Sequence, residues 1–184
     1  MDAPDMFLIQ AIGRGESAAL DELYSRHGLP LLNYLIGQLG DAALAEEVLQ
    51  NVMLAVWKGA GSFRGESKVR TWLIAIARNH ALNARRGKRI ITTSLYDEAL
   101  PATSTEPIEV IIRQDKAAQV RQAIQRLPDD QRETLELVFY HHLSGAEVAQ
   151  LLQVAEGTVK SRLHRAKAAL KDLLSEEVAP YELR

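Results

Sequence analysis

Apolar residues recur along most of this chain at intervals of three and four, the spacing of one face of an α-helix. The alternation that marks a β-strand is nearly absent, and Ile90-Ile91-Thr92-Thr93 is the one short β-like run. A short helix is predicted over residues 5–12. Ser17 is placed to cap the next, whose apolar set is Leu20, Leu23 and Tyr24, then Leu31, Leu35 and Leu39. Gly28 and Pro30 interrupt that set, so a kink or break is expected there. Gly40-Asp41 ends one helix and starts another.

The helix predicted over 42–58 carries Ala45, Val48, Leu49, Val52 and Val56 as its core stripe. Glu47, Gln50, Asn51 and Leu54 point the other way. A Leu flanked by Glu, Gln and Asn reads either as a partner-binding face or as a solvated face with one stray apolar residue, which is common on surfaces. Residues 59–66, GAGSFRGE, form a Gly-rich loop without the G-K-[ST] ending of a nucleotide phosphate loop. Ser67 is placed to cap a helix reaching about Arg89, with Trp72, Leu73, Ile76 and Ala77 turned to a core. Asn79, Asn83 and Arg86 line up near Trp72 on one edge, and Arg70, Arg78 and Arg85 form a second row. A flexible loop beside Asn, Arg and an aromatic suits capture of unstacked bases, while Trp72 equally fits a core position.

Residues 90–105, rich in Thr and Ser with Asp97, Glu98 and Pro101, have the composition of an extended tether that divides the chain in two. Glu106 and Pro107 then open a helix bearing Val110, Ile111, Ala117, Val120, Ile124 and Leu127. Pro128-Asp129-Asp130 is a break and a new helix start. Leu135, Leu137, Val138 and Phe139 continue the apolar pattern.

From Gly145 to Lys171 the pattern predicts two short helices joined by a tight turn. Ser144 and Glu147 make the S-x-x-E capping box of the first, which turns Val148, Leu151 and Leu152 inward. Gln153-Val154-Ala155 is the turn, and a non-Gly residue held there at positive φ costs about 1 kcal/mol. The second helix runs from about Glu156 past Leu170. Val159, Leu163, Ala166 and Leu170 share one side; Lys160, His164, Lys167 and Lys171 form a row about 100° round from it. Ser161 and Arg165 lie beyond. Such a helix is either the recognition helix of a helix-turn-helix, laid in the DNA major groove, or an ordinary amphipathic helix with a solvated basic face. His164 is either a DNA contact or a neutral surface residue.

Composition narrows the classes. The 184 residues suit one domain or two small ones, and the lack of cysteine removes disulfides and thiolate metal sites. The adjacent His141-His142 diverge on a helix with no further ligand at metal spacing, so neither metal nor cofactor is expected. The N-terminal stretch has no basic-then-apolar signal pattern, and no apolar run approaches the roughly 20 residues needed to cross a bilayer. A cytoplasmic protein without direct membrane insertion follows. Net charge is −2, yet it is segregated: Glu46 and Glu47 mark one helix, whereas 64–89 and 160–171 are basic. That distribution suggests two DNA-facing surfaces, a third surface for something else, and weak DNA binding alone. A helical hydrolase or metal enzyme lacks any carboxylate, His or Ser cluster with workable spacing, so the chain is not read as an enzyme. A dimeric helix-turn-helix repressor would leave the 47–54 face and the Gly-rich loop without a role.

Four segments in order resemble one family: AEEVLQNVMLAVW (45–57), FRGESKVRTWLIAIARNHALNARR (63–86), RLPDDQRETLELVFYHHLSGAEVAQLL (126–152) and GTVKSRLHRAKAAL (157–170). The chain resembles the extracytoplasmic-function (ECF) sigma factors, the small two-domain group of the bacterial sigma-70 family. The resemblance implies an all-α fold of two small helical domains on a flexible linker: a sigma2-like domain over 1–90, a linker over 91–105, a sigma4-like helix-turn-helix domain over 106–178 and a tail over 179–184. It implies promoter recognition and DNA melting by a subunit that binds core RNA polymerase. Glu47, Gln50, Asn51 and Leu54 would meet the clamp helices of the β′ subunit, with Trp57 at the edge or packed beneath, and the β flap would be a second docking point. Phe63, Arg64, Lys68, Trp72, Asn79, Asn83 and Arg86 would meet the −10 element, the loop receiving a flipped base. Thr158, Lys160, Ser161, Arg162, His164 and Arg165 would read the −35 element. The linker is similar to the segment that threads the polymerase channels, and an anti-sigma factor is an implied partner. This sequence departs from the family pattern at Asn51, often an acid; Met53, often an aromatic; Asn83, often Asp; and Gln153, usually Gly.

Overall fold

The computed structural model describes residues 3–91 and 119–178, with side chains over 4–86 and 119–175. The expected tether, apart from its first residues, and the helix start at Glu106 lie outside the described residues. So does the tail. Among the described residues there are helices and turns and no strand. Ile90 and Ile91, the start of the β-like run, are instead the end of a helix. The chain divides into two units, Met1–Leu95 and Tyr96–Arg184.

In the first unit, α1 spans Ala3–Gly13 and buries Ile9, Ala11 and Ile12. α2 spans Ser17–Leu39. Its cap position is Glu16, not Ser17, and no side chain closes that end. The expected interruption at Gly28 and Pro30 does not break the helix. Pro30 cannot donate to the carbonyl of Arg26, and a proline inside a helix costs about 3 kcal/mol. Burial of Leu23, Leu31, Tyr34 and Leu35 on both sides of it holds one continuous rod. Gly28 brings the Tyr24 ring close: a Cβ there would stand 3.1 Å from it, so a side chain would require the ring to shift. Asp5 of α1 ties the two helices, with one oxygen 2.8 Å from His27 Nε2 and the other 3.2 Å from Arg26 Nη1.

Gly40, at φ 67°, closes α2 in the left-handed conformation that glycine tolerates best, and Asp41 caps α3 (Ala42–Gly59) by accepting from Leu44 N–H at 3.1 Å. The whole predicted stripe of α3 is buried, joined by Met53. A single 3₁₀ turn, Ala60–Ser62, leads into a loop and then α4, Val69–Ile91. α4 starts later than expected. The Ser67 hydroxyl donates to the Lys68 carbonyl at 3.4 Å and does not cap the helix. Its buried stripe is Val69, Leu73, Ile74, Ala77 and Ala81, so Ile74 takes the place expected of Ile76, which is half-buried on the flank. α2 and α4 pack on α3, and α1 closes over α2 and the 3₁₀ turn.

In the second unit, α5 is the helical stretch 119–125, α6 spans Asp129–Phe139, α7 Gly145–Leu152 and α8 Glu156–Val178. Pro128 sits at the start of α6, where its missing N–H costs nothing. Leu127, Leu135 and Ala166 form a core cluster flanked by Ile124, Leu163, Ala169 and Leu170. Arg132 is buried and staples the helix joint: Nη1 donates to the carbonyls of Gln125 and Leu127 at 3.2 and 3.4 Å, and Nη2 meets Asp129 at 2.6 Å. Phe139, part of the apolar pattern, is 49% exposed and lies against Lys167, whose ammonium sits 5.2 Å from the ring centroid. His141 is buried, and His142 stands at φ 52° in the turn after α6, so the pair is not on a helix at all.

Both halves of the α7 capping box form: Glu147 N–H donates to Ser144 Oγ at 3.2 Å, and Ser144 N–H to the Glu147 carboxylate at 2.8 Å. The helix ends at Gln153, φ 56° and ψ 46°. Gln153 N–H bonds Gln150 O, and Val154 N–H bonds Ala149 O, the Schellman pattern. Since a side chain is held in the left-handed region, Gln153→Gly is expected to stabilise the second unit by about 0.5–1 kcal/mol. Urea unfolding of the full chain checks this; a loss of stability would contradict the strain.

Candidate nucleic-acid interface

Three surfaces carry the residues singled out by sequence. The first is the outer face of α3. Because Ala45, Val48, Leu49, Val52 and Val56 are buried, the helical period turns Glu47, Gln50, Asn51 and Leu54 outward together. All four are exposed, and Leu54 is 56% exposed. Trp57 is half-buried at the end of the same helix.

The second surface joins the 63–68 loop to α4. Trp72 is neither core nor free. It lies over Gly59, where a Cβ would stand 3.6 Å from the ring, and pairs with Phe63 at 4.8 Å between centroids with the planes tilted by 38°. Such a tilted aromatic pair, half-buried, is a favourable contact that holds both rings in place. Asn79, Asn83 and Arg86 are exposed further along α4. Arg64 is exposed and 3.9 Å from Glu66, a pairing that water screens almost completely. Lys68 is exposed, as are Arg70 and Arg85, while Arg78 is half-buried.

A cavity of about 600 Å³ adjoins this loop. Phe63, Arg64 and Gly65 line one side with Ala60 and Gly61, and Met6, Ile9, Gln10, Gly13 and Arg14 of α1 line the other. Sequence reasoning did not place α1 here. The signal was present in Gly13 and Gly61, whose backbones meet so closely that a Cβ on Gly13 would stand 3.1 Å from Gly61 Cα.

The third surface is the exposed side of α8. Lys160, Ser161, His164 and Arg165 are exposed there, and Thr158 is half-buried. Arg162 differs from its neighbours: its side chain is 20% exposed and its Nε lies 3.1 Å from Asp130 of α6. It ties α8 to α6. Arg165 lies along its own helix, with Nε 3.4 Å from the Ser161 carbonyl. Lys167, held by Phe139, extends the basic row.

Among the described residues, no group of His, Cys, Asp and Glu is arranged to hold a metal ion, and no helix is long and apolar enough to cross a membrane.

Known proteins resemble this chain in sequence and fold. The family model for sigma-70 region 2 matches residues 23–90, and the model for sigma-70 region 4 matches 117–170. The chain is 33% identical over 174 residues to the ECF RNA polymerase sigma factor SigL of Mycobacterium tuberculosis, covering 93% of this chain and 97% of that one. It is 37% identical over 171 residues to the ECF RNA polymerase sigma factor SigM of the same species, covering 92% and 84%. Its fold is that of the sigma factor RpoE from Bartonella quintana, solved in complex with the anti-sigma factor NepR, with a TM-score of 0.63 at 24% identity over 84% of this chain and 97% of that one. With both helical units matched to sigma-70 regions and full-length relatives above 30% identity, the chain belongs to the ECF RNA polymerase sigma factors of the sigma-70 family, which serve promoter recognition in transcription initiation.

Proposed function

We propose that the three surfaces divide the work of initiation among named residues. Glu47, Gln50, Asn51 and Leu54 dock on the clamp helices of the polymerase β′ subunit. Phe63, Arg64, Lys68, Trp72, Asn79, Asn83 and Arg86 hold the −10 element as it melts. Thr158, Lys160, Ser161, His164 and Arg165 read the −35 element, with Arg162 setting the pitch of α8 through Asp130. Residues 1–90 act as the core-binding and melting domain, 91–105 as linker, 106–178 as the −35 domain that also meets the β flap, and 179–184 as a tail. The protein acts in the cytoplasm, catalyses nothing itself and leaves the chemistry to polymerase. An anti-sigma factor, the partner seen with the Bartonella protein, is proposed to cover the same exposed faces in the resting state.

The observation that carries the reading is the half-buried Phe63–Trp72 pair, with Asn79 and Asn83 exposed about two and three turns further along the same helix. A reader of intact duplex has no use for an aromatic platform, because stacked bases present no free face. Asn79→Ala is therefore expected to slow promoter opening about tenfold while changing closed-complex affinity less than twofold; losing one hydrogen bond to a base is worth about 1 kcal/mol or a little more. Stopped-flow fluorescence from a −10 base analogue measures opening, and a heparin-sensitive shift assay measures the closed complex. Equal loss of both would contradict a melting role.

A further inference from the structure

We propose that α1 is the second wall of the site for an unstacked promoter base, and that Gln10 reads that base's edge. This rests on the reading of the 63–86 surface as the side that faces melted DNA, and it adds residues that neither the four family-like segments nor the region 2 match, which starts at residue 23, contains.

The cavity is open to solvent and has room for a flat ring between apolar and polar side chains. Its volume of about 600 Å³ falls within the roughly 300–1,000 Å³ of small-molecule sites. Ile9 and Ala60 are buried and give an apolar floor, with Met6 beside them. Phe63 brings an aromatic face, which stacks any base. Gln10, Arg14 and Arg64 are exposed around the opening. Among the described residues the two arginines are engaged in exposed pairs, Arg14 with Glu16 at 2.9 Å and Arg64 with Glu66 at 3.9 Å. Exposed pairs of this kind are worth about 0–1 kcal/mol and yield readily to a phosphate. The carboxamide of Gln10 has no hydrogen-bond partner among the described residues. It is the one uncharged lining side chain that both donates and accepts, which is what reading a base edge requires.

α1 is held in place rather than resting loosely. Gly13 and Gly61 permit backbone contact, Gly65 at φ 71° leaves room for the Met6 methyl at 3.3 Å from where a Cβ would stand, and Asp5 bonds His27 and Arg26 of α2. A wall fixed at three points keeps its side chains in register with the loop, as a specificity-determining group needs.

The test uses holoenzyme reconstituted from the full chain and core polymerase, presented with promoters randomised across the −10 element. Gln10→Leu keeps the volume and a good helix former while removing both polar atoms. It is expected to flatten base preference about tenfold at one position and leave the others as they were. Arg14→Ala is expected to weaken all sequences alike and to lower the salt slope by about 0.7, the share of one single-strand phosphate. A wild-type profile from Gln10→Leu, with Phe63→Ala altering the profile, would overturn the role of α1 and leave the loop's role standing. If Phe63→Ala and Asn79→Ala also left the profile and opening unchanged, the loop reading would fall and this inference with it.

Discussion

Glu47→Lys combined with Leu54→Ala is expected to weaken binding to core polymerase by about 100-fold. Leu54 is the large apolar side chain on an otherwise polar exposed face. Burying a leucine against a partner is worth about 1.5–3 kcal/mol. Reversing a charge at the rim adds about 1 kcal/mol. Together they approach 3 kcal/mol, and each 1.4 kcal/mol is tenfold. The fold is not at risk, because both residues point away from the buried stripe of α3 and both replacements are good helix formers. Titration of the fluorescently labelled chain with core polymerase reads the change. Unchanged affinity would remove this face from the interface.

The second large effect is expected on α8. Lys160→Ala with Arg165→Ala removes two exposed cations from the surface assigned to the −35 element. If both neutralise phosphates, the slope of log affinity against log salt falls by about 1.8, since each contributes about 0.9 on duplex DNA. If Arg165 reads a guanine edge instead, the slope falls by about half as much, and discrimination at one base pair drops by about 1–3 kcal/mol. In either case transcription from −35-dependent promoters is expected to drop at least tenfold, and full retention would take α8 off the DNA. Arg162→Ala provides the contrast. Its guanidinium is engaged with Asp130, so its first consequence is a looser α6–α8 joint, visible in unfolding, before any DNA effect.

Two local signals are legible because each acts within a few residues, whereas Ser17 and Ser67, equally local, do not cap their helices. Gly40-Asp41 and Ser144 with Glu147 declare helix ends through backbone geometry and short-range hydrogen bonds. The five-residue stripe of α3 fixes which way Glu47 and Leu54 face. What stayed hidden depends on residues far apart in the chain. Pro30 looks like a break until the packing on either side of α2 is weighed against it. Ile74 and Ile76 flank the same stripe, and only the helices packed on α4 choose between them. Arg162 belongs to the basic series by spacing but is claimed by Asp130, 32 positions earlier. The wall that α1 gives to the cavity depends on a glycine–glycine contact between residues 13 and 61, which no periodicity announces.

On the proposed division of work, the two units select a promoter together, through surfaces each too weak alone. Linking two weak sites raises effective affinity steeply once their spacing is fixed, and core polymerase is the part that fixes it. The direct measurement is fluorescence anisotropy of a labelled promoter duplex titrated with the purified chain, with and without core polymerase, at about 0.15 M salt. The chain alone is expected to bind with the roughly 10⁻⁴–10⁻⁶ M affinity of non-specific contacts and to treat a scrambled duplex alike. With core polymerase, the promoter is expected to be bound at least about 1,000-fold more tightly than the scrambled control. Tight, sequence-selective binding by the chain without polymerase would contradict the account.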